Sequence, residues 1–561
     1  MRSYFASLRI AGLAGAVLGL AVGLLDWSSV WPRLSLLLVV RAAALGWLAG
    51  AILSPALGWS LSRRGPAPGR PVRASRRVAR HVVTVLGLAP AVVWLAALLP
   101  NASLRHVMSG ARAPDEGRPN LVLITIDALR ADHVGVYGNP DGLTPNLDAF
   151  ARDATRYDAA YASSPWTLPS FGAVLTSRPP SECGLKIAAP KSHTWYTGEA
   201  ALPEEVPVLS EQLRRAGYAT AAELTNPFLA RKRGFKRGFD HFRNEDGPEV
   251  GSLTTSNTAR AHTVTKNACL WLRMNRRKPF FLWVHYLDPH APYDSPDTPE
   301  KTRADYPQEW RTGRLYWYDN MREVPENTKS RYAGFCRATY AEEVRYADRW
   351  AGGLLAELRR LGLYENSLVV ITADHGEELF DHDGFEHGHS THEEVLRVPL
   401  LVKWPSGRRA AQQVARTVGL VDLAPTFLAA AEADPMEGVW GRPLPMEDGA
   451  SAGEVYSEGL LYGREQTAFT GEEYKVIYHP YAGDGEARFE VYNRRRDRAE
   501  HHDVGDTGAA AALKERLQAY TEAADSAARE WHPDVAGGGS GESQLDEHTR
   551  RKLRSLGYLG E

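Results

Sequence analysis

Five apolar runs along the middle of the chain constrain the fold more than any other feature. NLVLITID, residues 120–127, opens the series; Tyr218–Leu224, Phe280–Tyr286, Leu368–Thr372 and Pro399–Val402 continue it. A continuous apolar run of this length reads as a parallel strand covered on both faces, not as the alternating strand of a half-solvated sheet. Helical patterns lie between the runs, at Val208–Ala216 and Thr339–Leu361. Strand and helix alternate, which predicts an α/β fold with a mixed, mainly parallel sheet between helices. Ligands collect at the carboxyl ends of the strands in such sheets. The polar residues that follow each run are therefore the candidates for chemistry.

The first run ends in Asp127, and Asp374 and His375 follow another in LVVITADHGEEL. Two acids and an imidazole delivered from strand ends form a ligand set for one divalent cation, Ca, Mg, Mn or Zn. Each acid alone reads equally well as a helix N-cap. A hydroxyl completes the set. The stretch SSPWTLPSFGAVLTSR, residues 163–178, reads as a loop turning sharply into a helix with Thr167 at its mouth. Unpaired N–H groups and the positive dipole end favour an anionic ester there. A Thr in that place is an ordinary cap or a nucleophile. A metal that lowers the pKa of a bound hydroxyl and neutralises ester oxygens needs Thr167 as a ligand and nucleophile together.

Histidines crowd two further segments: His285 and His290 in FFLWVHYLDPHAPY, and His382, His387, His389 and His392 in FDHDGFEHGHSTHEE. His290 and His389 are expected to stabilise the anion or protonate the leaving group, and His387 to contact substrate. Lys186 and Arg130 are candidates for additional positive charge at the substrate, each also readable as a surface residue.

The ends of the chain have a different character. Ile10–Leu25, Leu34–Leu61 (uncharged from Ala42) and Val83–Leu99 are apolar runs near the length that spans a bilayer. The arginine-dense, acid-free loop between the second and third is expected on the cytoplasmic side. These readings predict a multi-pass inner-membrane protein with three transmembrane helices in residues 1–105, a lipid bilayer as partner and an extracytoplasmic catalytic domain at 106–445. QTAFTGEEYKVIYHP and ARFEVYN predict antiparallel strands of a small C-terminal α+β subdomain, 446–530, with a helix at Ala509–Ala527. Residues 531–561 read as a flexible linker and a short amphipathic helix. The formal net charge of −2 gives no electrostatic case for nucleic-acid binding. Three widely spaced cysteines, Cys183, Cys269 and Cys336, exclude a disulfide framework and a Cys-based zinc site.

From Pro119 to about Pro405 the chain resembles the sulfatase family of the alkaline phosphatase superfamily. PNLVLITIDALRADHVGVYG resembles the family's opening strand, with its metal-binding acid at Asp127. TPNLDAFARDATRYDAAYASSPWTLPSFGAVLTSR is similar to the segment that carries the nucleophile. LYENSLVVITADHGEEL looks like the second metal strand, which assigns Asp374 and His375, and HYLDPHAPY carries the substrate histidine at His290. RVPLLVKWP and KLRSLGYLG share the likeness.

Two departures stand out. The family's Cys-x-Pro-Ser-Arg core, whose Cys becomes formylglycine, reads here Thr167-Leu168-Pro169-Ser170-Phe171. Ala128 follows Asp127 where many sulfatases have a second acid. Both changes resemble the Thr-nucleophile branches of the superfamily: phosphoethanolamine and phosphoglycerol transferases and related phosphodiesterases. The resemblance implies a metal-dependent hydrolase acting on an anionic sulfate or phosphate ester through a covalent Thr intermediate. A transferase acting on a lipid head group or envelope glycan is one alternative, and an inactive sulfatase-like binding protein another. A formylglycine hydrate has a second hydroxyl to expel sulfate. A Thr-bound group must instead be discharged by in-line attack of water or an alcohol.

Overall fold

The structure is a computed structural model, and it describes residues 117–186, 200–244, 260–299, 325–447, 453–461, 465–480, 486–505 and 507–531. β1 (Asn120–Ile126) lies in the interior of the main sheet, with all seven residues buried. The other strands are β2 (Thr155–Tyr161), β3 (Ala219–Leu224), β4 (His241–Asn244), β5 (Phe280–Tyr286), β6 (Ser367–Thr372), β9 (Arg397–Lys403) and β10 (Gln413–Gly419). Their order is β10-β2-β9-β6-β1-β5-β3-β4. β1 pairs in parallel with β5 and β6, Leu121 facing Phe281 and Leu368.

β9 runs antiparallel to both neighbours, β6 and β2. An antiparallel neighbour needs no crossover helix. The chain between β6 and β9 folds instead into a hairpin, β7 (Glu378–Leu379) with β8 (Phe385–Glu386), and a histidine-rich loop at the carboxyl end of β6.

Helices cover both faces. Successive residues of a strand point to opposite sides. Phe280 packs on Trp271 of one helix and Phe281 on Phe427 of another. On the first side lie α1 (Pro145–Ala151), α4 (Ala261–Asn275) and the long α5 (Glu326–Arg360), packed together. α2 (Thr167–Thr176), α3 (Leu209–Arg215) and α7 (Leu423–Ala430) pack together as the other group. All ten residues of α2 are buried, which its small and apolar sequence permits. The short α6 (Glu393–Leu396) leads into β9.

β11 (Val455–Ser457), β12 (Thr467–Thr470), β13 (Tyr474–His479) and β14 (Arg488–Asn493) form an antiparallel sheet in that order. α8 (Gly508–Trp531) packs on it around a core of Phe469, Val476, Tyr478, Val491, Ala510 and Leu517. The described residues, from 117 onward, belong to one compact unit, so this sheet belongs with the main one.

The inner-membrane expectation is corrected. Among the described residues no helix is long and apolar enough to cross a membrane. The two longest, α5 and α8, carry charged residues along their whole length. The three apolar runs before residue 105, the arginine-rich loop and the terminal helix all lie outside the described residues. A multi-pass location and a bilayer partner are accordingly not part of the functional reading.

Candidate active site

β6, β1, β5 and β3 lie side by side, and their carboxyl ends deliver Asp374 with His375, Asp127, His285 and Asn226. Asp127 extends the ladder by one residue, its N–H bonding Tyr286 O at 2.9 Å. Asp127 Oδ2 accepts from Asn226 Nδ2 at 2.7 Å and lies 3.2 Å from His285 Nε2. Asp374 Oδ1 accepts from the N–H groups of Ala128 at 3.3 Å and His375 at 3.1 Å. The other oxygen of each acid, Asp127 Oδ1 and Asp374 Oδ2, is buried with no hydrogen-bond partner.

His375 Nδ1 lies 2.8 Å from Gly376 O. A carbonyl only accepts, so Nδ1 carries the proton and Nε2 presents a bare lone pair. That nitrogen lies 3.5 Å from Asp127 Oδ1, 3.5 Å from Asp374 Oδ2 and 3.3 Å from Thr167 Oγ1. Buried lone pairs that face one another are costly unless a cation joins them. Two carboxylates, an imidazole and a hydroxyl are the donor chemistry of a divalent ion, so these residues fit one. Donor atoms of Asp127, His285 and Asp374 also lie within 4.8 Å of one another.

The two acids titrate unequally. Burial opposes ionisation of Asp127, but the His285 hydrogen bond and the nearby His290 and His375 outweigh it and hold the carboxyl below its ordinary value. Burial, together with repulsion from Asp127, pushes Asp374 up. This is how two acids behave when they share one buried site.

Thr167 is the first residue of α2, and the N-cap is Trp166, which makes no side-chain capping bond. The capping reading of Thr167 therefore does not apply. Its Oγ1 faces His375 and lies 3.5 Å from Asn226 Nδ2. The helix mouth is fixed from three sides. Ser170 Oγ donates to Asp374 O at 2.7 Å, tying α2 to the end of β6. Trp166 Nε1 donates to Gly459 O at 2.7 Å, and Ser164 Oγ to the same oxygen at 3.1 Å. Phe171 meets the His285 ring edge-on with centroids 4.9 Å apart.

The buried His290 donates from Nδ1 to Ala291 O at 2.6 Å, and its ring lies 4.8 Å from that of His387. The His387 ring lies 4.2 Å from that of His375, and its Nδ1 is 2.8 Å from Glu377 Oε1. Tyr293 OH donates to Glu377 Oε2 at 3.0 Å. The structure thus joins His290 and His387 to the metal-type cluster. His389 Nε2 pairs with Glu378 Oε2 at 2.7 Å, in the β7–β8 hairpin.

Arg130 and Lys186 are buried, not surface residues, and each is tied to acids of its own. Arg130 bonds Asp381 at 2.6 Å, Asp132 at 2.7 Å and Glu377 O at 3.0 Å. Lys186 Nζ lies 2.7 Å from Asp525, 3.2 Å from Glu465 and 3.4 Å from Glu458. Sequence reasoning missed Asn226 and Glu377 and gave His285 no role. Asn226 obeys the strand-end rule, following the Tyr218–Leu224 run by two residues.

Comparison with known proteins gives the family. Residues 119–433 match the family model described as Sulfatase, and residues 381–526 that of the C-terminal part of N-sulphoglucosamine sulphohydrolase. N-acetylgalactosamine-6-sulfatase of Mus musculus is 27% identical over 399 residues, 68% of this chain and 75% of that one. The ulvan-active sulfatase of Formosa agariphila is 26% identical over 352 residues, 58% of this chain and 64% of its own. In fold, a putative sulfatase from Bacteroides fragilis superposes with a TM-score of 0.57 at 19% identity, over 76% of this chain and 99% of the other. A phosphonate monoester hydrolase of Agrobacterium radiobacter does so with a TM-score of 0.55 at 17% identity, over 74% and 96%. With the family model spanning more than half its length, the chain belongs to the sulfatase family of the alkaline phosphatase superfamily, as a sulfatase-like ester hydrolase.

Proposed function

We propose that this chain hydrolyses a sulfate ester on a sugar, with Thr167 as nucleophile and one divalent cation held by Asp127, Asp374, His375 and the Thr167 hydroxyl. The observation that carries this reading is the convergence of Thr167 Oγ1 on His375 Nε2 at 3.3 Å, beside two buried, unpartnered carboxylate oxygens. The sugar sulfate follows from the relatives, several of which are sulfatases named for sugar substrates. They do not support the transferase alternative.

When bound, the ion lowers the pKa of the Thr167 hydroxyl and neutralises charge on the ester oxygens. Thr167 Oγ1 gives up its proton to solvent and attacks sulfur in line; the bond from sulfur to the ester oxygen breaks, and the alcohol departs with a proton from His290 or His387. Glu377 is the counter-charge that steadies His387. Asn226 Nδ2 fixes the Asp127 carboxylate beside the nucleophile. Water, giving a proton back to that histidine, then attacks sulfur in line; the bond from Thr167 Oγ1 to sulfur breaks, sulfate leaves and the Thr167 hydroxyl takes up a proton again. His389, Arg130 and Lys186 act at a distance, by holding the hairpin and the loops in place.

A second reading, phosphate ester hydrolysis, is favoured by one observation: Thr167 stands where the family has formylglycine, and in-line discharge by water is ordinary phosphoryl chemistry. Turnover of sulfate monoesters, phosphate monoesters and phosphodiesters by the metal-loaded protein separates the two. Sulfate turnover supports the first reading; phosphate turnover without it establishes the second. Thr167→Ala is expected to lower kcat by about 10³-fold or more. Undiminished turnover by that variant removes the nucleophile assignment.

A further inference from the structure

We propose that Arg260 is a positioning residue of the active site: it clamps both ends of the loop that carries His290, and so sets where the imidazoles that protonate the leaving group stand. The proposal rests on the reading of His290 or His387 as proton donor to the departing alcohol, and it names what holds that donor in place.

Arg260 is the N-cap residue of α4, and its side chain is 16% exposed. Nη1 donates to Asp288 Oδ1 at 2.9 Å, just past the end of β5. Nη2 donates to Asp294 O at 3.2 Å and also to the Asp294 carboxylate. The two ends of the loop from Asp288 to Asp294 therefore meet on one planar group. The Ala261 N–H adds a bond to Asp288 Oδ2 at 2.9 Å. His290 lies between the ends, buried, with its backbone N–H on Leu287 O at 2.8 Å and Nδ1 on Ala291 O.

The same loop reaches His387. Tyr293 OH donates to Glu377 Oε2 at 3.0 Å, and Glu377 Oε1 lies 2.8 Å from His387 Nδ1. The His290 and His387 rings are 4.8 Å apart. A loop that slips off Arg260 therefore carries both imidazoles from their places.

A third acid, the fully buried Glu343 of α5, accepts from Nη1 at 3.1 Å. Burial, with Asp288 and Asp294 close by, outweighs Arg260 and pushes the Glu343 carboxyl well above its ordinary value. Glu343 thus anchors the guanidinium to α5 and leaves its charge to the two loop acids. A guanidinium presents its N–H groups in a fixed plane and can bridge two acids; an ammonium is a point charge on a flexible stem. A clamp that served the fold alone would affect all substrates alike. One that aims a proton donor affects those whose leaving group needs the proton.

The test compares two esters on the metal-loaded, full-length protein: 4-nitrophenyl sulfate, whose leaving group departs as the anion, and N-acetylgalactosamine 6-sulfate, whose alcohol departs with a proton. Arg260→Lys is expected to lower kcat/KM on the sugar sulfate about 10²-fold, and far less on the nitrophenyl ester. Equal losses on both esters, in a variant folded by circular dichroism, overturn the proposal. If Arg260→Lys does not fold, Asp294→Ala carries the same test, since it frees one end of the loop and keeps Arg260 on Asp288; a smaller loss confined to the sugar sulfate is expected, and an equal loss or none overturns. If phosphate esters are the ones turned over, 4-nitrophenyl phosphate and glucose 6-phosphate form the pair. Hydrogen exchange of the peptide spanning residues 287–295 reads the clamp without turnover, and it is expected to quicken in Arg260→Lys. A wild type that cleaves no ester therefore counts against the hydrolase reading alone, while unchanged exchange in folded Arg260→Lys counts against this one alone.

Discussion

Phe171 touches no reacting atom and Asn226 meets only the Thr167 hydroxyl, at 3.5 Å, yet each helps to decide where the reacting groups sit. Phe171 supports the His285 ring at 4.9 Å, and Asn226 holds Asp127 at 2.7 Å. Phe171→Ala removes a fully buried ring and is expected to cost about 3–5 kcal/mol in urea unfolding. Asn226→Asp places a third carboxylate against Asp127 Oδ2. It is expected to lower kcat with little change in KM, because the damage falls on the nucleophile and not on substrate binding. A KM effect alone would argue that Asn226 meets substrate directly. Asp127, Asp374, His375 and Thr167 were legible in the sequence because each follows an apolar run or opens a helix. Asn226 was not, because an Asn before Pro227 reads first as a turn. Lys186 was misread for a different reason: its three acids lie hundreds of residues further along the chain, and nothing local announces them.

At the scale of elements, the segment after β11 holds both walls of the site. Ser457 Oγ and Glu458 N bond Ala162 O and Ser163 O just before Thr167, while Leu461 N bonds Gly388 O in the histidine loop at 2.7 Å. Gly388 has φ +84, and a Cβ there would lie 2.8 Å from that of Leu461, so a glycine is required for the approach. Lys186 locks the arrangement, joining Glu458, Glu465 and Asp525 of α8. Lys186→Met leaves buried acids without their cation and is expected to destabilise the protein by about 3–5 kcal/mol in denaturant titration.

The histidine loop has a second tie. His382 stacks on His392 at 3.9 Å and bonds Glu394 at 2.8 Å and the Glu500 carbonyl at 3.1 Å. Burial opposes its charge, but Glu394 and that carbonyl outweigh burial and push its pKa from 6.5 to about 9. A folded-state pKa above the unfolded one contributes stability that is present in full below about pH 6.5 and lost as pH rises through about 9. The difference in urea midpoint between wild type and His382→Asn is therefore expected to shrink over that window. A difference that grows with pH contradicts the ion pair.

For the whole molecule, the sequence foretold the parallel heart of the sheet and the strand-end site. β1, β3, β5 and β6 are almost wholly apolar, and burial on both faces writes itself into such runs. β2 and β10, TRYDAAY and QVARTVG, escaped notice because polar residues interrupt them towards the edge of the sheet. The reversed direction of β9 leaves no mark on composition, and only the missing crossover helix before it hints at the turn. The antiparallel C-terminal sheet was readable, but its grip on the Thr167 loop was not, since it depends on backbone carbonyls that any sequence supplies.

The central claim is that Thr167 takes up the ester's anionic group over this cluster. Rapid acid quench of the metal-loaded protein during turnover of a sulfate monoester, followed by mass spectrometry of the peptide spanning residues 163–178, tests it most directly. A single sulfo group on Thr167, absent from Thr167→Ala, is predicted. Continued ester cleavage by Thr167→Ala, or a covalent group on a different residue, would contradict it.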